Sequence, residues 1–434
     1  MTFQRPVARA TLAAAALALL AGCAAPAIDD NVAAAHAEVT RHGGIDFTWL
    51  TTDAAREQAR ADVARVLQQP LSQDDAVRIA LSHDPALQAL LFERAATSAD
   101  ATRAARLPNP VFAFERLASG GAPNQIELTR ALTLPLLDVL LLPARLRQAD
   151  AAQQRLRLQM AIDVLRAAGA ARAAWVDAVA AGQAARYAEQ VRDAAEALTG
   201  LAQALRAQRG ARETLVRALG LDASQAAALR LPDRLPDLPA TLPPQAPSLQ
   251  AALDSRLDLR LARARLDELA RSQGLARVAG TVDGLELGVE RRDQTGQPRD
   301  HGLTLSVPLP LFDTGDAAHA GATARYDAAL ARAAAQAVVA ASQLREADAD
   351  RRDSLALALQ YRDRLVPLQA TIVGQNLLRY NGMLASAFEL LADAREQART
   401  VQQAIAAQRQ FWLADAAFQA ATLGSPTQDT PEAS

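Results

Sequence analysis

Leu128-Thr129-Arg130-Ala131-Leu132-Thr133-Leu134-Pro135-Leu136-Leu137-Asp138 returns 175 positions later as Leu303-Thr304-Leu305-Ser306-Val307-Pro308-Leu309-Pro310-Leu311-Phe312-Asp313. Each copy follows a stretch of alternating apolar and polar residues and precedes a long Ala-rich segment. Agreement in both order and context marks an internal duplication, and that frame decides the fold. Before the first copy, Phe112 and Phe114 point one way and Ala113 and Glu115 the other. Ser119-Gly120-Gly121-Ala122-Pro123-Asn124 reads as a turn, after which Ile126 and Leu128 alternate with Glu127 and Thr129. The second copy sets Leu285, Leu287 and Val289 against Glu286, Gly288 and Glu290, turns near Gly296 and returns through Leu303, Leu305 and Val307. Two β-hairpins are therefore expected, over 111–134 and 282–309.

Around the hairpins the sequence is helical. Ser72 and Asp75 form a capping pattern ahead of a helix expected to run to about Arg106 and to stop at Leu107-Pro108-Asn109-Pro110. Pro143 is the last proline before a stretch expected to stay helical to about Arg209, on the order of 100 Å at the usual rise. Its counterpart starts near Asp316, with a kink expected at Pro367. The fold class is mainly α with β-hairpins, arranged as two helix–hairpin–helix repeats, 71–230 and 249–424. An N-terminal segment, 23–70, precedes them. Between them Leu231 to Ser248 carries six prolines (232, 236, 239, 243, 244 and 247), too many for a helix or central strand, so it reads as an extended linker. The tail, 425–434, reads as disordered.

Composition narrows the function. The 434 residues carry a formal charge of −2, which gives no electrostatic footprint for nucleic acid. No Lys occurs, so all 46 basic residues are Arg. Roughly a quarter of the chain is Ala, which favours long helices packed through small side chains. One Cys and five scattered His make neither a disulfide framework nor a zinc cluster. No phosphate loop, nucleophile elbow or metal helix occurs, so neither an enzyme nor a cofactor is expected. Arg5 and Arg9 precede an apolar run ending in Leu20-Ala21-Gly22-Cys23, so residues 1–22 read as a signal peptide. Leu-Ala-Gly-Cys resembles a bacterial lipobox with Cys23 lipidated. Ala24 after it favours the outer membrane of a Gram-negative cell.

Strands of about ten amphipathic residues match a tilted transmembrane β-strand. Four cannot close a barrel, and an open edge cannot face lipid. If they enter a membrane, three chains would pool twelve strands, with the long helices continuing as a helical tube. The alternative is a pair of soluble hairpins capping a periplasmic helical rod, and the patterning alone does not separate the two.

The chain resembles the outer membrane factor (TolC-type) efflux family over essentially all of its mature length. The resemblance is carried by the lipobox at Cys23, by Asp75-Ala76-Val77-Arg78-Ile79-Ala80-Leu81 with Asp84-Pro85-Ala86-Leu87, and by Leu107-Pro108-Asn109-Pro110. Val307-Pro308-Leu309-Pro310-Leu311-Phe312-Asp313-Thr314-Gly315 and Tyr380-Asn381-Gly382 followed by Phe388-Glu389-Leu390-Leu391 complete it. It implies a homotrimer anchored in outer-membrane lipid, with a shared 12-stranded β-barrel, four strands per chain, above a periplasmic α-helical barrel. It also implies docking to a periplasmic adaptor and an inner-membrane pump, and passive conduction of small solutes. Pro135, Asp138, Pro310 and Asp313 would mark the strand-to-helix junctions.

Residues 380–391 would form the periplasmic tip, with Gly382 making the turn through its freedom at positive φ. Ser386 would cap the returning helix, Met383 and Leu384 would meet the adaptor, and Tyr380 would pack between helices. Glu389 would line the entrance as a ring of three carboxylates favouring cations; the alternative is an ordinary first-turn Glu held by the helix dipole. Pro135 to Pro143 and the Leu-rich tip look like relatives associated with metal-ion resistance, though no Met or His ladder marks a metal path.

One departure stands out. Gly210 aligns with Gly382, yet Leu219-Gly220 follows after only Ala211 to Ala218, where the second copy runs on to Leu423-Gly424. The first repeat is thus expected to lack roughly 30 residues, its tip and most of its returning helix, about 45 Å. That leaves a shortened, non-functional duct, or a non-conducting lipoprotein scaffold, as alternatives to a working channel.

Overall fold

The computed structural model describes residues 28–119, 125–191, 197–242, 249–282, 284–309, 311–312 and 314–425. The signal segment, Cys23, Pro310, Asp313 and residues 426–434 lie outside them. The chain divides into two compact units.

The first unit comprises the residues up to Asn31 together with Ala95–Leu156 and Ala262–Ala333. It holds one antiparallel sheet in the order β1 (Val111–Ser119), β2 (Gln125–Pro135), β3 (Glu286–Gln294), β4 (Asp300–Ser306). The two hairpins lie side by side through β2 and β3, with Leu132 opposite Val289 and Leu134 opposite Leu287. β1 and β4 are left as open edges. Gly296 takes φ 78° in the second turn, a conformation that suits Gly. Below the strands, Asn31, Ser98 and Gln153 form a fully hydrogen-bonded buried cluster, Ser98 Oγ donating to Gln153 Oε1 at 2.8 Å.

The second unit comprises Val32–Arg94, Arg157–Leu261 and residues from Ala334 onward. Its helices, with those they continue, are α1 (Ile28–Gly43), α2 (Asp53–Val66), α3 (Gln73–His83), α4 (Pro85–Ala104), α5 (Leu136–Gln190), α6 (Ala197–Leu219) and α7 (Ala223–Ala228). After the linker come α8 (Leu249–Ser255), α9 (Leu257–Val282), α10 (Asp316–Gln360), α11 (Val366–Asn381) and α12 (Ala387–Leu423). Val63, Leu71, Ile79, Trp175, Val179, Leu215, Leu219 and Leu235 share one buried cluster. Trp175 Nε1 donates to Leu71 O at 2.8 Å, so the indole brings a partner for its polar atom into that core.

The duplication is visible in the packing. Gly220 and Gly424 both take positive φ, 64° and 76°, and directly follow α6 and α12. A side chain at Gly220 would overlap Pro85, and one at Gly424 would come within 2.5 Å of Asp258 Oδ1. Each repeat therefore closes by pressing its terminal Gly against its own opening helices, an approach only Gly allows.

Four expectations are corrected. The first helix of repeat one is broken at Asp84, which sits at ψ 117° because the residue before a proline avoids the helical region. α5 starts upstream of Pro143, which it accommodates in its second turn. α5 also ends at Gln190 rather than near Arg209. Most consequentially, α6 is itself the returning helix. Gly182 faces Gln208, and Trp175 shares a cluster with Leu215, so α5 and α6 pair antiparallel.

The first repeat thus has a complete hairpin, only a shorter one. α12 has 37 residues against 23 in α6, a difference of 14, or about 21 Å of helix. The aligned pairs Asp138/Asp313 and Gly220/Gly424 stand 175 and 204 positions apart, so 29 residues are missing in all. About half came from each arm, a symmetric trimming by four turns.

The described part of the proline-rich linker, 231–242, has no helix or strand and is packed against the helices. Leu235 and Leu238 are buried, and Gln408 Nε2 and Trp412 Nε1 both donate to Pro236 O. In the second hairpin a π-helical turn, Tyr361–Leu365, directly precedes Pro367. The wide turn accommodates the proline ring, which cannot fit against a regular preceding turn.

Candidate functional site

Two surfaces carry the features that point to function, and the first is the sheet. Side chains alternate across a strand, so the pairing register assigns every residue to a face. One face holds Phe112, Phe114, Ile126, Leu128, Leu132, Leu134, Leu287, Val289, Leu303 and Leu305. Phe112 is 63% exposed and Leu303 79%, so this large apolar surface is uncovered in the single chain. The other face holds Glu115, Glu127, Thr129, Thr133, Glu286, Glu290, Asp300, Thr304 and Ser306. Five carboxylates there meet one guanidinium, Arg292, which bonds Glu127 at 2.9 Å and Glu290 at 3.0 Å. Val111 and Leu117 on the edge strand β1 are the large apolar exceptions. Polar on one side, apolar on the other and open at both edges, the sheet leaves one face and two rows of backbone groups without partners.

The junction residues seat the strands on the helices. Pro135 ends β2, and Leu136 N donates to Leu285 O at 2.8 Å as α5 begins. Asp138, in the first turn of α5, pairs with Arg145 at 2.6 Å.

The second surface is the tip of the longer hairpin. Between Ala358 and Thr400 no side chain is buried, and Leu368, Leu378, Leu384 and Phe388 are exposed. α11 ends in a Schellman arrangement: Leu384 N donates to Arg379 O at 2.7 Å and Met383 N to Tyr380 O at 2.9 Å. The residue in the left-handed conformation is Met383, φ 60°, whereas Gly382 sits at φ −83°. This corrects the expected role of Gly382, whose freedom at positive φ is not used. Met383 is 94% exposed and Leu384 72%, and Tyr380 is exposed too rather than packed between helices of its own chain.

A left-handed Met is strained by about 1 kcal/mol, so Met383→Gly is expected to stabilise the tip by about that amount. Slower hydrogen exchange in residues 376–390 would bear this out; faster exchange would show that the Met side chain holds the turn.

Ser386 caps α12, its Oγ accepting from Glu389 N at 3.2 Å while Glu389 Oε2 accepts from Ser386 N at 2.7 Å. Ser386 N and Ser386 Oγ both donate to the Glu389 carboxylate, and these bonds, the backbone one first, with Arg379 adding attraction, hold that carboxyl below its ordinary range. Its carboxylate is thus committed to a capping box. Gly210, expected at the equivalent tip, lies inside α6 instead, which corrects that assignment.

Among the described residues no cluster of three or more His, Cys, Asp or Glu could hold a metal ion, and no helix is long and apolar enough to cross a membrane.

No known family profile matches the sequence, and no curated protein matches it either. Solved structures match in fold. The Campylobacter jejuni CmeC outer membrane channel superposes at a TM-score of 0.66 with 12% identity, over 86% of this chain and 87% of that one. The outer-membrane channel OprN gives 0.64 with 20% identity, over 84% and 92%. The outer membrane protein VceC from Vibrio cholerae gives 0.61 with 17% identity, over 86% and 98%. The chain has the fold of these outer-membrane channels.

Proposed function

We propose that the chain belongs to the outer membrane factor family and acts as the outer-membrane channel of a tripartite efflux system, a homotrimer that conducts small solutes passively and catalyses nothing. The observation that carries this is the four-stranded sheet with one apolar face and two open edges. An open edge cannot face lipid, so a sheet with an apolar face this large has to close on other copies of itself. Three copies supply twelve strands, with the apolar face toward lipid and the acidic face lining the lumen. The fold shared with outer-membrane channels supports the same assembly.

The finer reading follows the sequence. Cys23 would carry a lipid anchor in the outer membrane, and the helices would reach into the periplasm. The exposed tip around Met383, Leu384 and Phe388 would receive a periplasmic adaptor joined to an inner-membrane pump. Because the first hairpin is four turns shorter, the distal tier of a trimer would be built from the second hairpins alone. Metal ions as cargo rest only on the resemblance of the Pro135–Pro143 stretch and the Leu-rich tip.

Planar-bilayer recording tests the reading. Stepwise conductance is expected, with cations preferred because each chain brings five carboxylates and one arginine to the lumen face. An assembly that enters the bilayer yet passes no current would favour the non-conducting scaffold instead.

A further inference from the structure

The apolar face of the sheet is not apolar throughout. Moving along β2 away from the helices, Leu134 is flanked by Leu287, and Leu132 by Phe112 and Val289. The next position is Arg130, paired directly with Arg291, which is paired in turn with His301. Beyond it Leu128 stands between Arg116 and Asp293. From Leu134 to Arg130 is about 13 Å of strand, after which the face turns cationic.

Three guanidiniums converge on one carboxylate. Arg130 Nη1 lies 2.8 Å from Asp293 Oδ2, Arg291 Nη2 3.3 Å from Oδ1, and Arg299 Nε 3.4 Å from Oδ1. Like charges paired directly across strands repel, as Arg130 and Arg291 do. A single carboxylate neutralises one of them and offers far fewer acceptor sites than three guanidiniums have donors. With Arg116, this face holds four arginines against one aspartate, a net charge of +3. The opposite face is the reverse, five carboxylates against Arg292. The sheet thus sorts charge by side, and places the surplus positive charge at the end of the apolar band.

We propose that Arg116, Arg130, Arg291 and Arg299 form a binding site for the phosphate of an anionic lipid headgroup. The proposal rests on the membrane reading of the apolar face. Hydrocarbon gives way to phosphate where an apolar band ends, and the planar fork of Arg matches a phosphate with two hydrogen bonds. A lipid also accounts for the apolar rows next to the cluster, which a free anion would leave uncovered.

Two readouts on the full chain test this. Reconstitution into phosphatidylcholine vesicles reports whether the sheet enters a bilayer at all. Titration in uncharged detergent with phosphatidylglycerol or phosphatidylcholine, with bound lipid counted by native mass spectrometry, reports headgroup choice. Phosphatidylglycerol is expected to bind at least tenfold more tightly, at about fivefold per arginine near a lipid phosphate. Arg130→Gln with Arg291→Gln is expected to lose about 25-fold on that basis. Asp293→Asn, which frees the guanidiniums, is expected to tighten binding about fivefold, a gain that misfolding cannot mimic. Equal binding of the two lipids by a chain that enters vesicles would overturn the proposal and leave the membrane reading intact. Displacement by millimolar inorganic phosphate would overturn the lipid as occupant. Failure to enter vesicles would remove both.

Discussion

Arg256→Leu is expected to destabilise the helical body by about 3–5 kcal/mol, because it leaves a buried carboxylate without its partner. Arg256 is wholly buried in the second unit. Its Nε and Nη2 bond both oxygens of Asp258 at 3.0 and 2.7 Å, and Nη1 donates to Ala421 O at 2.6 Å and to Ala340 O at 3.3 Å. One side chain therefore ties the start of α9 to the middle of α10 and the end of α12. Asp258 Oδ1 also accepts from Leu259 N at 2.8 Å and is the atom against which Gly424 packs. Arg256→Lys is expected to recover only part of the loss, since an ammonium has three donors where the guanidinium reaches five acceptors, Gln343 Oε1 included. Replacing Arg256 and Asp258 together by leucines should recover more than the single change retains, because no lone charge is then buried. Urea unfolding in detergent followed by circular dichroism measures all three. A single variant within 1 kcal/mol of the parent would mean that water reaches Asp258, contrary to the packing described here.

The second large effect concerns the membrane. Val289→Arg places a charge on the apolar face, between Leu132 and Leu303 and one step along that face from Arg291. On the lipid face of a β-barrel such a charge costs from about 1 kcal/mol near the interface to about 2–4 kcal/mol at the midplane, and a trimer bears that cost three times. Loss of the assembled form from outer membranes is expected. Thr304→Arg, one position along β4 and on the acidic face, should be tolerated, because that face would line water. Gel mobility of unheated membrane extracts reads both variants. Equal tolerance of the two substitutions would mean that the apolar face does not meet lipid.

Much of this architecture was legible in the residues. The duplicated Leu-Thr motif located the hairpins, and alternation at Phe112, Phe114, Leu287 and Val289 assigned their faces. These signals are strong because side-chain direction in a strand follows directly from position. The helical reversals were harder. An Ala-rich helix carries little periodic contrast, so nothing announced the end of α5 at Gln190, and Gly210 attracted the assignment instead. Length bookkeeping gave the size of the deletion, 29 residues by the aligned pairs, but not that both arms share it. At the tip, the expectation that Gly382 takes the left-handed position failed by one residue, because the Schellman hydrogen bonds select the site and Met383 falls on it. The arginine cluster on the apolar face was not foreseen. Strand alternation placed Arg130 and Arg291 among the apolar positions, but only the register between β2 and β3 brings them together on Asp293.

The account stands on one claim, that a four-stranded sheet with open edges closes by pooling strands from three chains. The mass of the detergent-solubilised assembly, from light scattering corrected for bound detergent, tests this most directly. A protein mass of three chains is the predicted result, and it would show that the barrel closes despite the shortened first hairpin. A single-chain mass would leave β1 and β4 unpaired, and the channel account would fail for this chain.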